Sequence, residues 1–465
     1  MTYYKLSQRK RKGVVLMIMA VSMMFIVIPT VGLAIDGAVV YTIRAKLQSA
    51  TDSAAASGAR SFSKGLSPIT QQGAATTTAI KYFRANMNAA WNPLTAPDPT
   101  VTFPAGATPQ TVVVNVASSA TAPTYFMKML NVNSVTVNAV SQAVRRDVKI
   151  MMVLDRSGSL DTAGACDDLR EAAKGFVASF TSGRDEIGMA TYGSSHRVDF
   201  AISNTFKTAS TPLSTIINNI NCTGGTSSAA AYWTGYQQLV AVPQAGVLNV
   251  LLFFTYGQPT STNIANLQVI TGSSCSSNAP KSGVVGAGTS GLRRGLFAPL
   301  QTSAPPVSSD VTVASGSSGC SYASNLSNLN NDIIHLTAAG ALPHQEVDAY
   351  GNLLTGHKSV NRTSGRISAT DHQTLINVAT NALASAASRA RADASTRGLE
   401  LVTFAIGLGG VGAAEDEIMH RVANTAVSLS YDHTKPTGMY IRADNLTQLD
   451  EAFNQLASET MRFAK

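Results

Sequence analysis

Three oxygen-bearing side chains stand at alternate positions directly after an apolar run. Residues 148–154 read Val-Lys-Ile-Met-Met-Val-Leu, and Asp155, Ser157 and Ser159 follow them. A buried strand that ends here can aim one carboxylate and two hydroxyls at a common point, and a ligand set made only of oxygen suits hard cations such as Mg²⁺. Because a serine-rich chain also produces this pattern by chance, the elements that position the three side chains must decide its meaning.

Strand and helix candidates alternate beyond Arg146. The predicted strands are 148–154, 187–192, 197–202, 247–255, 399–406 and 438–442, and the predicted helices are 166–180, 212–220, 227–241, 372–396, 413–424 and 445–458. Several strands are apolar throughout, as expected where helices cover both faces of a mostly parallel sheet. The sequence therefore predicts a doubly wound α/β domain over 148–460. In such sheets ligands bind beyond the carboxyl ends of the strands, which is where Asp155 stands.

A polar excursion rich in Ser, Thr, Asn, Gly and Pro interrupts this domain at 258–371. It far exceeds the roughly 2–6 residues that usually connect a strand and a helix in α/β units. Insertions at the carboxyl edge of a sheet surround the binding face, so we expect this one to recognise a partner.

An uncharged apolar stretch at 13–35 has about the ~20 residues that a bilayer-spanning helix requires. A cleaved signal peptide is the alternative, but the stretch is longer than a typical apolar signal region and no small-residue cleavage site precedes Asp36. Residues 1–12 form a basic tail, which predicts a cytoplasmic amino terminus, a single membrane pass and an extracytoplasmic location for everything from Asp36 onward.

The basic tail also explains most of the net charge. The chain carries a formal charge of +8, and Lys5, Arg9, Lys10, Arg11 and Lys12 supply five of those charges, which leaves +3 elsewhere. No basic stripe with interleaved aromatic residues follows, so we expect no nucleic-acid partner.

Residues 36–64 predict an extracytoplasmic stalk helix in which small and apolar side chains recur at helical spacing. Here the chain resembles the amino-terminal segment of the tight-adherence (Flp) pilus-assembly proteins of TadE/TadG type. The matching residues are Ala34, Asp36, Tyr41, Leu47, Gln48, Ala50, Asp52, Ala54, Ala55, Gly58 and Ala59. The resemblance implies a bacterial cell-membrane protein whose partners are pilus or secretion components.

Residues 65–147 predict a small α+β element of the kind that follows the helix in pilin-like proteins. Segments 111–116 and 134–139 are β-rich, and 125–130 suits a short helix between them. The stretch 61–100 lacks apolar periodicity and contains several prolines, so we predict a loop after the stalk.

The α/β domain resembles a von Willebrand factor A (VWA) domain, a Rossmann-like fold, over 148–256 and 372–460. The resemblance lies in Asp155-Arg-Ser157-Gly-Ser159, Gly224-Gly225-Thr226 and the late strand 399–407. In that family the two serines and the threonine ligate Mg²⁺ and the first aspartate supports it through water. The resemblance thus implies a site for Mg²⁺ or another divalent cation at Asp155, Ser157, Ser159 and Thr226, with a partner's carboxylate often completing it.

One position departs from the family pattern. The turn after the fourth strand, Thr-Asp-Gly in the family, reads Thr255-Tyr256-Gly257 here. Replacing a carboxylate by a phenol removes a charge and an acceptor for metal-bound water, so we expect weaker cation binding. The alternative is that Ser157, Ser159 and Thr226 cap helix starts and turns.

The chain has four cysteines, an even number in a region predicted to lie outside the cytoplasm, where disulfides persist. If the VWA resemblance is right, the loops that carry Cys166 and Cys222 meet, which predicts a Cys166–Cys222 disulfide and, by exclusion, Cys275–Cys320. Free thiols are the alternative. The sequence contains no C-x₂-C spacing, so a zinc site is not favoured.

An enzyme is the least favoured interpretation. Gly407-Leu-Gly409-Gly-Val-Gly412 satisfies the dinucleotide-binding pattern, but it follows a late strand of the sheet, so a tight glycine turn is the better interpretation. No other catalytic motif occurs. The sequence thus predicts a non-catalytic, membrane-anchored envelope protein of a tight-adherence pilus apparatus, binding a protein partner through its VWA loop face. An independent membrane-anchored VWA adhesin or receptor is the alternative, and an exported nucleotide-binding enzyme the third.

Overall fold

The computed structural model divides the chain into two compact units, 1–145 and 146–465. The residues it describes are 5–61, 68–87, 96–106, 111–241, 243–244, 246–267, 281–287, 293–297, 328–329, 358, 360, 362–363, 366–368, 372–409 and 413–463.

The first unit begins with a continuous helical segment. Helix α1 (Lys5–Ser22) leads through a π-helical turn (Met23–Val27) into α2 (Ile28–Ser61). The helix from Gly13 contains a window of mean hydropathy 2.6 in which no residue is buried, and it is long and apolar enough to cross a membrane. Pro29 explains the π-helical turn, because a proline cannot donate the helical hydrogen bond and crowds the preceding turn.

The rest of this unit is a small α+β element packed on the second half of α2. It contains α3 (Pro68–Asn86), β1 (Thr100–Thr102), β2 (Thr111–Pro123), a 3₁₀ helix (Met127–Leu130) and β3 (Ser134–Arg146). The three strands form one sheet in the order β1-β2-β3. Its core includes Ile43, Leu47, Ala50, Ala54, Ala79, Phe83, Val114 and Val116.

The predicted loop at 61–100 is wrong over α3. Pro68 supplies the fixed φ that suits the first position of a helix, and the buried Ala75, Ala79 and Phe83 recur every four residues on one face. Two of these three side chains are alanines, so the apolar face of α3 is too weak to recognise in a polar segment.

A six-stranded sheet forms the centre of the second unit. Its strands are β4 (Val148–Asp155), β5 (Glu186–Tyr192), β6 (His196–Ser203), β7 (Leu248–Tyr256), β14 (Leu401–Leu408) and β15 (Met439–Ala443). They lie in the order β15-β14-β7-β4-β5-β6, and all pairings are parallel except β5 with β6. The carboxyl ends of β4, β5 and β7 therefore meet at one edge.

Helices cover both faces of this sheet. They are α4 (Gly158–Thr162), α5 (Cys166–Ala178), α6 (Leu213–Asn218), α7 (Ser228–Val240), α8 (His372–Thr396), α9 (Ala413–Ala423) and α10 (Leu446–Phe463). Helices α5, α6 and α10 pack on one face, and α7, α8 and α9 pack on the other. The predicted fold class, a doubly wound and mostly parallel α/β sheet, is confirmed.

The excursion between β7 and α8 contains further strands. They are β8 (Ser261–Leu267), β9 (Lys281–Ala287), β10 (Arg293–Phe297), β11 (Asn328–Leu329), β12 (Arg362–Thr363) and β13 (Arg366–Ser368). They form two three-stranded antiparallel sheets, β10-β9-β8 and β11-β13-β12. Cys275 and Cys320 lie outside the described residues, and their predicted pairing stays a prediction.

Candidate functional site at the carboxyl edge of the sheet

Asp155 is the last residue of β4 and is fully buried at the carboxyl edge of the sheet. Its Oδ1 accepts a hydrogen bond from the amide of Ser157 (2.8 Å). Its Oδ2 accepts from the amide of Tyr256 (2.9 Å) and from the hydroxyl of Thr255 (3.1 Å). The carboxylate thus joins the loop after β4 to the end of β7, and both of its oxygens have protein donors.

The two serine hydroxyls of the motif converge. Ser157 Oγ lies 2.8 Å from Ser159 Oγ, and Ser157 is buried whereas Ser159 is exposed. Adjacent ligands of an octahedral Mg²⁺ with bonds of about 2.1 Å lie about 3.0 Å apart, so this spacing fits two neighbouring ligands. Ser157 stands at the N-cap position of α4 but makes no side-chain capping bond. The hydroxyl of Ser157 therefore does not act as a helix cap, which was the alternative interpretation.

The loop that carries Thr226 lies against the loop after β4. The amide of Gly158 donates to the carbonyl of Gly224 (3.0 Å), and the amide of Thr223 donates to the carbonyl of Arg156 (2.6 Å). Thr226 is buried, and its amide donates to the hydroxyl of Thr260 (3.0 Å). The structure thus brings the predicted site residues onto two adjoining loops.

A disulfide joins the same two regions. Cys166 begins α5 and Cys222 precedes the Thr226 loop, with their Cα atoms 6.1 Å apart. The predicted Cys166–Cys222 pairing is confirmed.

Tyr256 occupies the position of the missing aspartate, but its side chain does not reach Asp155. Its amide hydrogen-bonds the carboxylate of Asp155, whereas its partly buried ring packs against the hydrophobic core. The ring also lies beside Gly409, where an added Cβ would stand 3.1 Å from Cε2 of Tyr256. The ring therefore packs as an apolar group, and Asp155 supplies the carboxylate that joins the ends of β4 and β7.

Burial dominates the electrostatics of this edge. It raises the pKa of Asp155 to about 6, against the lowering effect of the hydrogen bonds from Tyr256, Ser157 and Thr255. On the neighbouring strands, burial raises the pKa of Asp199, which is paired with Arg197 (Nε to Oδ1, 2.6 Å). The buried carboxylate of Asp155 lies directly beside the loop of Ser157, where a divalent cation would gain Coulomb energy.

The donor set fits a hard cation of small radius. Ser157, Ser159 and Thr226 offer neutral oxygens on loops that are already joined, and Asp155 orders those loops from behind. Among the described residues, no group of three or more His, Cys, Asp or Glu side chains could hold a metal ion. A cation held here would therefore depend on hydroxyl ligands.

Sequence reasoning missed several residues that build the site. The hydroxyl of Thr255 donates to the carboxylate of Asp155. The hydroxyl of Thr260 accepts from the amide of Thr226, and the hydroxyl of Ser194 accepts from the amide of Gly225. Helix α4 also begins directly after Ser157. Thr255 carried a signal, because it ends the strand predicted at 247–255. Thr260 and Ser194 carried none, because their contacts depend on tertiary structure.

The glycine-rich turn after β14 lies at the same edge. Gly409 has a φ of +61°, and its amide donates to the carbonyl of Ala443 (2.8 Å). This positive φ favours glycine and fits the predicted tight turn. Residues 410–412 lie outside the described residues.

Comparison with known families assigns two regions of the chain. Residues 149–277 match the von Willebrand factor type A domain. Residues 13–61 match the putative Flp pilus-assembly TadE/G-like family. Both predicted resemblances are confirmed. The chain joins a TadE/G-like segment to a VWA domain.

Solved structures similar to the chain include pilus proteins with low sequence identity. They are the pilus adhesin SpaC of Lactobacillus rhamnosus GG in an open conformation (13% identity, 79% of this chain and 34% of that one, TM-score 0.38), the PilB minor pilin of Streptococcus sanguinis (13%, 80% and 79%, 0.37) and the vWF domain of the type V pili tip protein Mfa5 of Porphyromonas gingivalis (14%, 70% and 98%, 0.37). The chain spans about a third of SpaC. No curated protein matches it.

Proposed function

We propose that this chain is a non-catalytic, membrane-anchored envelope protein of a tight-adherence (Flp) pilus apparatus. Its apolar helix anchors it in the bacterial cell membrane with the basic tail in the cytoplasm. Its VWA domain lies outside that membrane and binds a protein partner, a pilus or secretion component, through the edge that carries Asp155. The proposal includes no catalytic step.

The observation that carries this proposal is the union of two regions in one chain. The TadE/G-like match at 13–61 covers the apolar helix and its extension, and the VWA match at 149–277 contains the whole Asp155 site. The pilus-assembly segment supports the setting, and the converging hydroxyls of Ser157 and Ser159 at the carboxyl edge of a sheet support binding there.

The charges of the site favour an acidic group on the partner. A divalent cation held by Ser157, Ser159 and Thr226 would lie near the carboxylate of Asp155, and position 256 supplies a phenol where the family has a second carboxylate. The cation would supply electrostatic attraction for an oxygen anion, and the site would retain net positive charge. A glutamate or aspartate of the partner would balance it.

Cation binding can be tested with the full chain in detergent micelles, by Mn²⁺ titration followed by electron paramagnetic resonance. The double substitution Ser157→Ala and Ser159→Ala is expected to weaken binding at least about tenfold, since it removes two neighbouring ligands. Ser395→Ala is the matched control, because Ser395 is exposed at the end of α8, on the opposite edge of the sheet. Equal Mn²⁺ affinity in all three proteins would refute the ligand assignment.

Partner binding can be tested in the producing bacterium with a photo-crosslinking amino acid at position 162. Thr162 is exposed at the end of α4, next to the serine pair, and position 395 again serves as the control. We expect a cross-link to a pilus or secretion component from position 162 alone, lost in the Ser157→Ala and Ser159→Ala protein. Normal pilus assembly in a strain lacking the chain would contradict the proposal and favour an independent adhesin.

A further inference from the structure

The first unit exposes a cluster of large apolar side chains on one short loop. Between β2 and β3, Tyr125 is 55% exposed, Met129 84% and Leu130 73%. Phe126 adds a second aromatic ring at 37% exposure. Neighbouring apolar side chains with this exposure mark a surface that meets something other than water.

The carboxylate of Asp36 fastens this loop to α2. It accepts hydrogen bonds from three consecutive amides: Tyr125 (2.8 Å, to Oδ1), Phe126 (2.9 Å, to Oδ2) and Met127 (2.6 Å, to Oδ2). Asp36 is fully buried by the loop. The three donors satisfy a charge that would otherwise be costly to bury, so the position of the loop along the helix is fixed.

A close backbone approach fixes the same position a second time. A Cβ added to Gly32 would stand 2.5 Å from Cγ of Phe126, so the ring occupies the space that any larger residue would fill. Gly32 lies inside the uncharged run 13–35, and Asp36 is the first charged residue after it. At about 1.5 Å per residue, Phe126 lies level with the last turn of the apolar run.

We infer that the loop 125–130 enters the headgroup region of the extracytoplasmic leaflet beside the membrane helix. This rests on the membrane anchor of the proposed function. The bilayer is the occupant because the loop adds to the apolar surface of the span. The exposed apolar residues of the span precede Asp36 along the helix, and Phe126 packs at Gly32, within the same uncharged run. Tyrosine, as at position 125, is enriched at membrane interfaces, and phenylalanine, as at position 126, is typical of the apolar face that interfacial segments bury. The exposed Lys128 suits anionic headgroups.

The test uses the full chain in vesicles of phosphatidylethanolamine and phosphatidylglycerol, with Cys275→Ser and Cys320→Ser so that only introduced cysteines carry an environment-sensitive fluorophore. Met129→Cys reports the loop, and Val21→Cys reports the span. Gln142→Cys is the matched control, because Gln142 is exposed on β3 and lies far from the apolar run. The carbonyl of the nearby Val140 accepts a hydrogen bond from Gln48, which lies about 18 Å or more along the helix from the end of the apolar run at residue 35. Quenching by lipids that are spin-labelled near the headgroup or at mid-chain measures depth.

We expect the label at position 129 to be quenched about twofold or more by headgroup-labelled lipid, the label at 21 by mid-chain lipid, and the label at 142 by neither. Quenching at 21 without quenching at 129 would overturn loop insertion and leave the anchor intact. An unquenched label at 21 would overturn the anchor itself. Asp36→Ala should reduce quenching at 129 but not at 21, and unchanged quenching at 129 would refute the role of that carboxylate.

Discussion

Removal of the Cys166–Cys222 disulfide is expected to destabilise the VWA unit strongly. The two cysteines are 56 residues apart in sequence, so the disulfide closes a long loop in the unfolded chain. For a loop of this length the chain-entropy relation gives about 4 kcal/mol at 25 °C. Both positions are largely buried and belong to the core, so alanine is a better replacement than serine, which would bury two hydroxyls.

The assay is urea unfolding of the full chain in detergent micelles, comparing the Cys166→Ala and Cys222→Ala double variant with the parent protein. Trp233 is buried on α7 and reports this unit, and a Trp91→Phe background leaves it as the only tryptophan. We expect the free energy of unfolding to fall by about 4 kcal/mol, with an increase in the urea slope if the unfolded chain expands.

The same variant tests whether the disulfide supports the candidate site. It joins the start of α5 to the segment just before the Thr226 loop, so its loss should also weaken Mn²⁺ binding, by about tenfold if the two loops separate. Reduction of the parent protein with dithiothreitol should reproduce both effects. A loss of stability below about 1 kcal/mol would refute the loop-closure reasoning, since removal of a native disulfide typically costs about 2–5 kcal/mol.

Three further predictions concern single residues. Tyr256→Asp should tighten Mn²⁺ binding about tenfold in the same titration, because it adds a carboxylate at the end of β7; unchanged affinity would mean that position 256 cannot face the cation. Burial lowers the pKa of His196 to about 4, so as the pH falls the imidazole becomes protonated in the unfolded chain before it does in the folded protein. The free energy of unfolding should therefore fall by about 3 kcal/mol between pH 6.5 and pH 4. His196→Gln should flatten this difference in urea unfolding curves, and an unaltered pH profile would contradict the assignment. Gly235→Ala should cost about 1–3 kcal/mol, because its Cβ would stand 2.4 Å from Cγ2 of Val153. The exposed Gly73→Ala on α3, where nothing lies within 4 Å, should instead stabilise slightly, and equal effects of the two substitutions would refute the packing argument.

The central sheet was predictable because its strands are buried on both faces. All eight residues of β4 and all eight of β14 are buried, so each strand is a mostly apolar run that can be recognised in the sequence. Between consecutive parallel strands, a helix must lead the chain back to the opposite edge of the sheet, which explains the alternation of strand and helix patterns. The position of Asp155 followed from the same rule, since a parallel sheet places its ligand edge at the carboxyl ends. The fold and the location of the site were thus predictable from local sequence.

The orientation of individual side chains was not predictable in this way. Position 256 was identified from the family pattern, but only the structure shows that its ring packs on the core while its amide serves Asp155. Helix α3 was missed because alanine contributes too little to an apolar face. Thr260 supports Thr226 from the start of the insertion, a contact that depends on where a long connection returns to the sheet.

The contacts of Asp36 could not be predicted from sequence, because its partners lie far away along the chain. From sequence it marks the end of an apolar run, a position that water or headgroups could satisfy. In the structure it is buried and holds amides that follow it by about ninety residues, so its charge is satisfied by the protein itself. A carboxylate with protein donors does not need to reach bulk water, so the depth of α2 that we propose would be set by its apolar residues together with the loop 125–130. With the span and the loop inserted as we propose, the helix and the α+β element of the first unit would share one fixed height relative to the membrane.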